Sequence, residues 1–168
     1  MNDSDFWRFS LAFYGRAGVP ETCLRLQDAR AVDVNVMLYL LFLAGMGIRI
    51  QRPDLDRIES LVGDWRESVV RPLRGVRRTL KTIQAPFATA ATEKLRNEVK
   101  RIELEAERLQ QLVMEQWAAP TPPAAPCGDL TACARHNLRL YADRLGGLPS
   151  EDVEAILRDF AQGTPPAR

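Results

Sequence analysis

Residues 34–50, VNVMLYLLFLAGMGIRI, are apolar almost throughout, introduced by Asp33 and broken only by Asn35 and Arg49. A helix of about 17 residues reaches roughly 25 Å, short of the ~20 residues that a bilayer core usually requires. The segment is apolar around most of its circumference, which suits a buried helix better than a surface one. It therefore reads as the central helix of an all-α, helical-bundle-like fold, with membrane association not expected. Asp33 is placed to cap its first turn, and Gly45 and Gly47 weaken its far end, giving an expected span of about Val34 to Gly47.

Upstream, Ser4 reads as the N-cap of a helix carrying Phe6, Phe9, Leu11, Phe13 and Tyr14, closed by Gly15 and Gly18. Pro20 then fits the first turn of a second short helix ending near Ala31. Downstream, Leu55, Ile58, Val62, Trp65 and Val69 repeat at helical spacing, and Leu73, Val76, Leu80 and Ile83 resume it beyond Pro72. The proline predicts a kinked helix or two helices in series. From Phe87 to Trp117 the seam Leu95, Val99, Ile102, Ala106, Leu109 and Val113 predicts a long amphipathic helix with alternating charges outside.

A short turn near Ala85 and Pro86 would fold these two long helices into an antiparallel hairpin that projects from the core. The stretch AAPTPPAAPCG from Ala118 to Gly128 reads as a stiff linker. Beyond it, Leu130 to Leu145 and a segment capped by Ser150 predict a C-terminal helical pair, too small for a core of its own and so packed on the rest. The expected organisation is a helical core plus hairpin over 1–118, linker 119–128, helical pair 129–163 and disordered tail 164–168, about seven helices in all.

The 168 residues carry a formal net charge of +1, which excludes neither a basic nor an acidic patch. One patch exists: six Lys or Arg residues against one Glu between Arg66 and Lys81. Arg71, Arg74, Arg78 and Lys81 fall near one helix side, with Arg77 beside them. Such a stripe suits an acidic protein surface or phosphates, but a solvated face paired with Glu98, Glu103, Glu105 or Glu107 is the simpler reading, since charge runs are common on helical hairpins. No aromatic residue is interleaved for base stacking.

Trp7, Arg8, Tyr14, Asp33 and Asn35 surround the polar start of the apolar helix and are the expected walls of any small-molecule pocket, although capping explains Asp33 and Asn35 on its own. Trp7, Trp65 and Trp117 are expected to pack between helices. His136 and Cys133 are two ligands without a remainder, so no metal site is read from the sequence. Neither paired aspartates for Mg²⁺ nor Glu-x-x-His pairs for di-iron are present, and no catalytic set or cofactor is assigned. Three cysteines without motif spacing, and an acidic, polar start in place of an export signal, lead to the expectation of a cytoplasmic protein.

The blocks DFWRFSLAFYGRAGV, CLRLQDARAVDVNVMLYLLFLAG and WRESVVRPLRGVRRTLK together resemble an uncharacterised family of short proteobacterial proteins, a domain of unknown function. The likeness runs over about residues 5 to 115 and is carried by Phe6, Trp7, Gln27, Asp33, Asn35, Trp65, Arg66, Pro72, Leu73 and Arg74. It implies a bacterial origin and brings no activity with it. The resulting functional expectation is a non-catalytic binding or adaptor module. Arg71, Arg74, Arg77, Arg78 and Lys81 would steer an acidic protein partner, and the exposed seam would add affinity. RNA or ribosome association through the same stripe is the alternative, a small-molecule protein or enzyme at the Asp33 end is the second, and self-association through the seam is open.

Overall fold

A computed structural model describes residues 4–83, 86–120 and 127–163. These form α1 (Asp5–Tyr14), α2 (Val19–Arg30), α3 (Val34–Gly45), α4 (Arg52–Trp65), α5 (Arg71–Thr82), α6 (Thr89–Trp117), α7 (Leu130–Arg144) and α8 (Ser150–Ala161), without strands among the described residues. Residues 66–70 join α4 to α5 as one wide helical turn, so the described chain is an all-α bundle of seven continuous rods.

The apolar segment is the centre of this bundle. Nine of the twelve residues of α3 are buried. On one side Phe6 of α1 meets Tyr39 and Phe42, with ring centroids 5.0 and 5.3 Å apart. On another, α7 supplies Ala134, Leu138 and Tyr141 to the same core. The helix stops at Gly45, two residues before its expected end at Gly47. Gly47, at φ 73°, turns the chain so that its N–H donates to Ala44 and that of Ile48 to Leu43, both at 2.9 Å. That pair of bonds is a Schellman closure, which needs a left-handed residue where glycine is free of Cβ strain.

The caps are those the side chains dictate. Ser4 Oγ accepts the Trp7 N–H at 3.1 Å, and Asp33 Oδ1 accepts those of Asn35 and Val36 at 2.9 and 3.3 Å. Ala31 ends α2 with φ 54°, a left-handed conformation costly to a residue with a Cβ. One expected cap moves: Pro149 is the N-cap of α8 and Ser150 its first residue, because the proline's extended ψ already sets the entry. α8 returns to the core by packing on α2 and α7, with Arg25 bound to Asp152 at 2.7 Å.

The kink expected at Pro72 takes the form of the turn immediately before it. The Arg71 N–H reaches back to the carbonyl of Arg66, one residue further than in an α-helix. A proline crowds the carbonyl four residues upstream, and widening the turn relieves that contact without breaking the rod. The α4–α5 rod then runs antiparallel to α6. The Trp65 indole N–H donates to the Ala106 carbonyl at 3.0 Å near the base, and Arg74 and Arg77 cross to Glu103 further out. The expected turn at Ala85, the centre of the Pro-rich linker (121–126) and the tail (164–168) lie outside the described residues.

Candidate functional site

The start of α3, the wide turn and α6 meet in a polar joint built from residues far apart in sequence. The second oxygen of Asp33, not used in capping, accepts from Gln110 Nε2 at 2.7 Å and from Arg66 Nη1 at 3.2 Å. Arg66 also donates to Glu59 at 2.9 Å. Burial works against the guanidinium's charge, but its hydrogen bonds to Glu59 and Asp33 and the fields of those carboxylates more than offset it and hold its pKa above the ordinary value. Asn35 accepts from Gln111 at 2.8 Å, and the Tyr141 hydroxyl accepts the Asp33 N–H at 3.0 Å. Burial pushes the Tyr141 pKa up, so this hydroxyl stays protonated.

A second ion cluster lies one to two turns further along the hairpin. Arg74 binds Glu103 at 3.0 Å and Glu107 at 2.6 Å, and Arg77 binds the other oxygen of Glu103. Glu103 is buried. Burial raises the Glu107 pKa against the lowering influence of Arg74, while the bond to Glu103 raises that of Arg77. Of the four glutamates expected to face the stripe, Glu103 and Glu107 do so. Glu98 and Glu105 pair within α6 with Arg101 and Arg108.

The five stripe residues are therefore not equivalent. Arg74 and Arg77 are engaged in the hairpin's own interior. Arg71 pairs with Glu67 at 2.7 Å and Arg78 with Asp28 at 3.0 Å, both in exposed bridges. Lys81 is exposed one turn beyond Arg78. Arg66, Arg71, Arg74 and Arg78 together line a groove of about 300 Å³ between the end of α2 and α5, with Gln27, Asp28, Ala31, Val32, Asp33, Val70 and Gly75 as its remaining walls. Gly75 has open space where a Cβ would stand, which keeps the middle of the groove clear.

The expected pocket residues divide between two places. Trp7, Tyr14 and Asn35 line a cleft of about 360 Å³ between α1, α3 and the hairpin, with Leu11, Leu24 and Leu104 among its apolar walls. Asp33 belongs to the arginine groove instead, and Arg8 lies on the outer side of α1, paired with Asp5, and lines neither. Burial raises the Tyr14 pKa. Trp7 is buried and Trp65 is anchored to α6, but Trp117, expected to pack, leaves 71% of its surface exposed at the end of α6.

His136 and Cys133 serve structure. The His136 ring contacts the Ile50 carbonyl and Arg49, each at 3.0 Å, and ties α7 to the loop after α3. Cys133 is buried, as is Cys23, and burial pushes both thiols up to about 12. Among the described residues no group of three or more His, Cys, Asp or Glu side chains could hold a metal ion, and no helix is long and apolar enough to cross a membrane.

Sequence reasoning missed Arg66 as the hub of the joint, together with Glu59, Gln110 and the fully buried Asn137. The Asn137 side chain accepts the Ile50 N–H and donates to the Leu40 and Ile48 carbonyls at 3.0–3.1 Å. The available signal was polar residues at otherwise apolar helix positions: Gln110 one residue after Leu109, and Asn137 one before Leu138.

The architecture defines a helical bundle bearing an ion-paired hairpin beside an arginine groove. Residues 5–114, from the first residue of α1 to near the end of α6, match DUF2390, a protein family of unknown function, and the chain belongs to that family. No curated protein and no solved structure matches the chain. Helices α7 and α8 lie beyond the matched span.

Proposed function

We propose that the protein is a non-catalytic binding module that takes carboxylates of an acidic protein partner in the arginine groove of its hairpin. The observation that supports this reading is the convergence of Arg66, Arg71, Arg74 and Arg78 on one groove of about 300 Å³. Arg71 and Arg78 are the two that a partner can recruit. Their present bridges are exposed, and exposed pairs are worth about 0–1 kcal/mol, so exchanging Glu67 or Asp28 for an incoming carboxylate costs little. Arg66 and Arg74 keep their internal partners and supply positive potential from behind. Lys81 extends that potential along α5 and speeds encounter.

An acidic protein fits better than RNA. The groove is short, and it is lined by no aromatic side chain on which a base could stack. The test is affinity capture from nuclease-treated lysate with the wild-type protein beside an Arg71→Glu, Arg78→Glu variant. Both substitutions are at exposed positions and leave the Glu103 cluster intact. A protein retained after nuclease, weakened by salt and lost in the variant is the expected result. Recovery that vanishes with nuclease, or that is identical for the variant, overturns the proposal.

A further inference from the structure

The face of the hairpin opposite its ion pairs has a different character. Helical residues advance about 100° each, so Ile102 lies roughly a quarter turn from Glu103, and Leu95 and Leu109 lie one heptad either side of it on the same line. These three seam residues are not covered: Leu95 is 53% exposed, Ile102 45% and Leu109 41%, while Val99 and Ala106 between them are buried. Val76 of α5 and Ile83, the residue just after it, repeat the same seven-residue step and are also exposed. Arg77 meets Glu103 and the rods are antiparallel, so Val76 lies within one turn of the level of Ile102. Two apolar lines thus run side by side, one centred on Ile102 and the other carrying Val76 within a turn of that height.

We infer that this face binds a second copy of the chain, the two hairpins packing antiparallel about a two-fold axis at Ile102. Leu95 and Leu109 are equidistant from Ile102, so that axis sets Leu95 of one copy on Leu109 of the other and Ile102 on its own counterpart. Val76 lies within a turn of the same axis. A face whose apolar spacing is symmetric about its middle is self-complementary, the requirement for an isologous interface. The seven-residue step is the one that keeps a seam against a partner helix.

The charges flanking the stripe agree with that choice of occupant. Arg101 and Glu105 of α6 are exposed and opposite in sign. Reversing the direction of a second copy about Ile102 brings its Arg101 within a turn of Glu105 and, by the same symmetry, its Glu105 within a turn of Arg101. The pair Arg101 now makes with Glu98 is a surface pair within α6 at 3.5 Å, which can be shared across an interface at small cost. The arginine groove lies on the other side of the hairpin, so a dimer would carry two grooves.

Sedimentation equilibrium of the full chain tests the inference, with Ile102→Glu as the variant. Wild type is expected at twice the chain mass at micromolar concentration. Two charges forced onto the axis should raise the dissociation constant roughly 30-fold or more, the loss expected of a central hot spot. Ile102 is exposed in the monomer, so an unchanged far-ultraviolet spectrum is the control for folding. Geometry is checked in a Cys127→Ser background with a short bismaleimide. Ile102→Cys cross-links to itself, Leu95→Cys alone does not, and Leu95→Cys mixed with Leu109→Cys does. A wild-type monomer overturns the inference, as does a dimer indifferent to Ile102→Glu or a cross-linking pattern that favours Leu95 with itself. Each of these outcomes leaves capture through Arg71 and Arg78 as a separate result.

Discussion

Helices α3 and α5 are both twelve residues long, yet α3 buries nine of its residues and α5 buries none. α3 is held by apolar side chains on nearly every side, with polar groups only where its first turn and last carbonyls need partners. α5 is held along one edge, by Arg74 and Arg77 on Glu103 and Glu107, and shows its remaining surface to solvent. Burial is nondirectional and makes the core robust to detail, whereas the hairpin depends on a few directional contacts and keeps its surface available.

The comparison can be broken most severely inside α3. Leu40 is fully buried, and Leu40→Ala removes its packing where the surroundings cannot fully collapse, so a loss of about 4 kcal/mol is expected by urea denaturation. A loss below about 1 kcal/mol would show that the core relaxes around α3 in a way its packing does not suggest.

Arg66→Ala comes next, because it leaves Asp33 and Glu59 without their shared cation. Removing one partner of a fully buried pair costs about 3–5 kcal/mol, and the partial exposure of this guanidinium reduces the expectation to about 2 kcal/mol. Urea denaturation reads this loss, and a value near zero would show that the two buried carboxylates find other partners.

Glu103→Gln loosens only the arm. It weakens the hold on Arg74 and Arg77 by about 1 kcal/mol, and hydrogen exchange should quicken in α5 and the outer half of α6 while the amides of α3 keep their protection. Uniform acceleration would mean that arm and core open together. Val76→Ala should change monomer stability by less than about 0.5 kcal/mol, since its side chain is half in water. The smallest expected effect is an absence of reaction. With pKa values pushed up to about 12, Cys23 and Cys133 are almost wholly thiol at pH 8, and a maleimide should label native protein at Cys127 alone.

The helices were legible because each is written locally. The apolar run at Val34, the carboxylate of Asp33 before it, Ser4 before the aromatic helix, and the seven-residue steps of α6 act within one or two turns, where spacing in sequence is spacing in space. The candidate site was legible only in part. The stripe from Arg71 to Lys81 could be seen, but its residues looked alike, and Asp33 and Trp7 looked like neighbours of one pocket. They separate because Asp33 turns towards Arg66 and Gln110, 33 and 77 residues away.

By itself, then, the sequence determined the all-α class, the buried central helix, the caps of α1 and α3 and the existence of two long amphipathic rods, since periodicity and capping are properties of neighbouring residues. Only the tertiary structure decided which arginines are spent internally, which face the groove, and which half of the α6 seam stays exposed. Those outcomes depend on which distant carboxylate reaches a given cation first and on which side of each rod its neighbour comes to rest, and no local pattern specifies either.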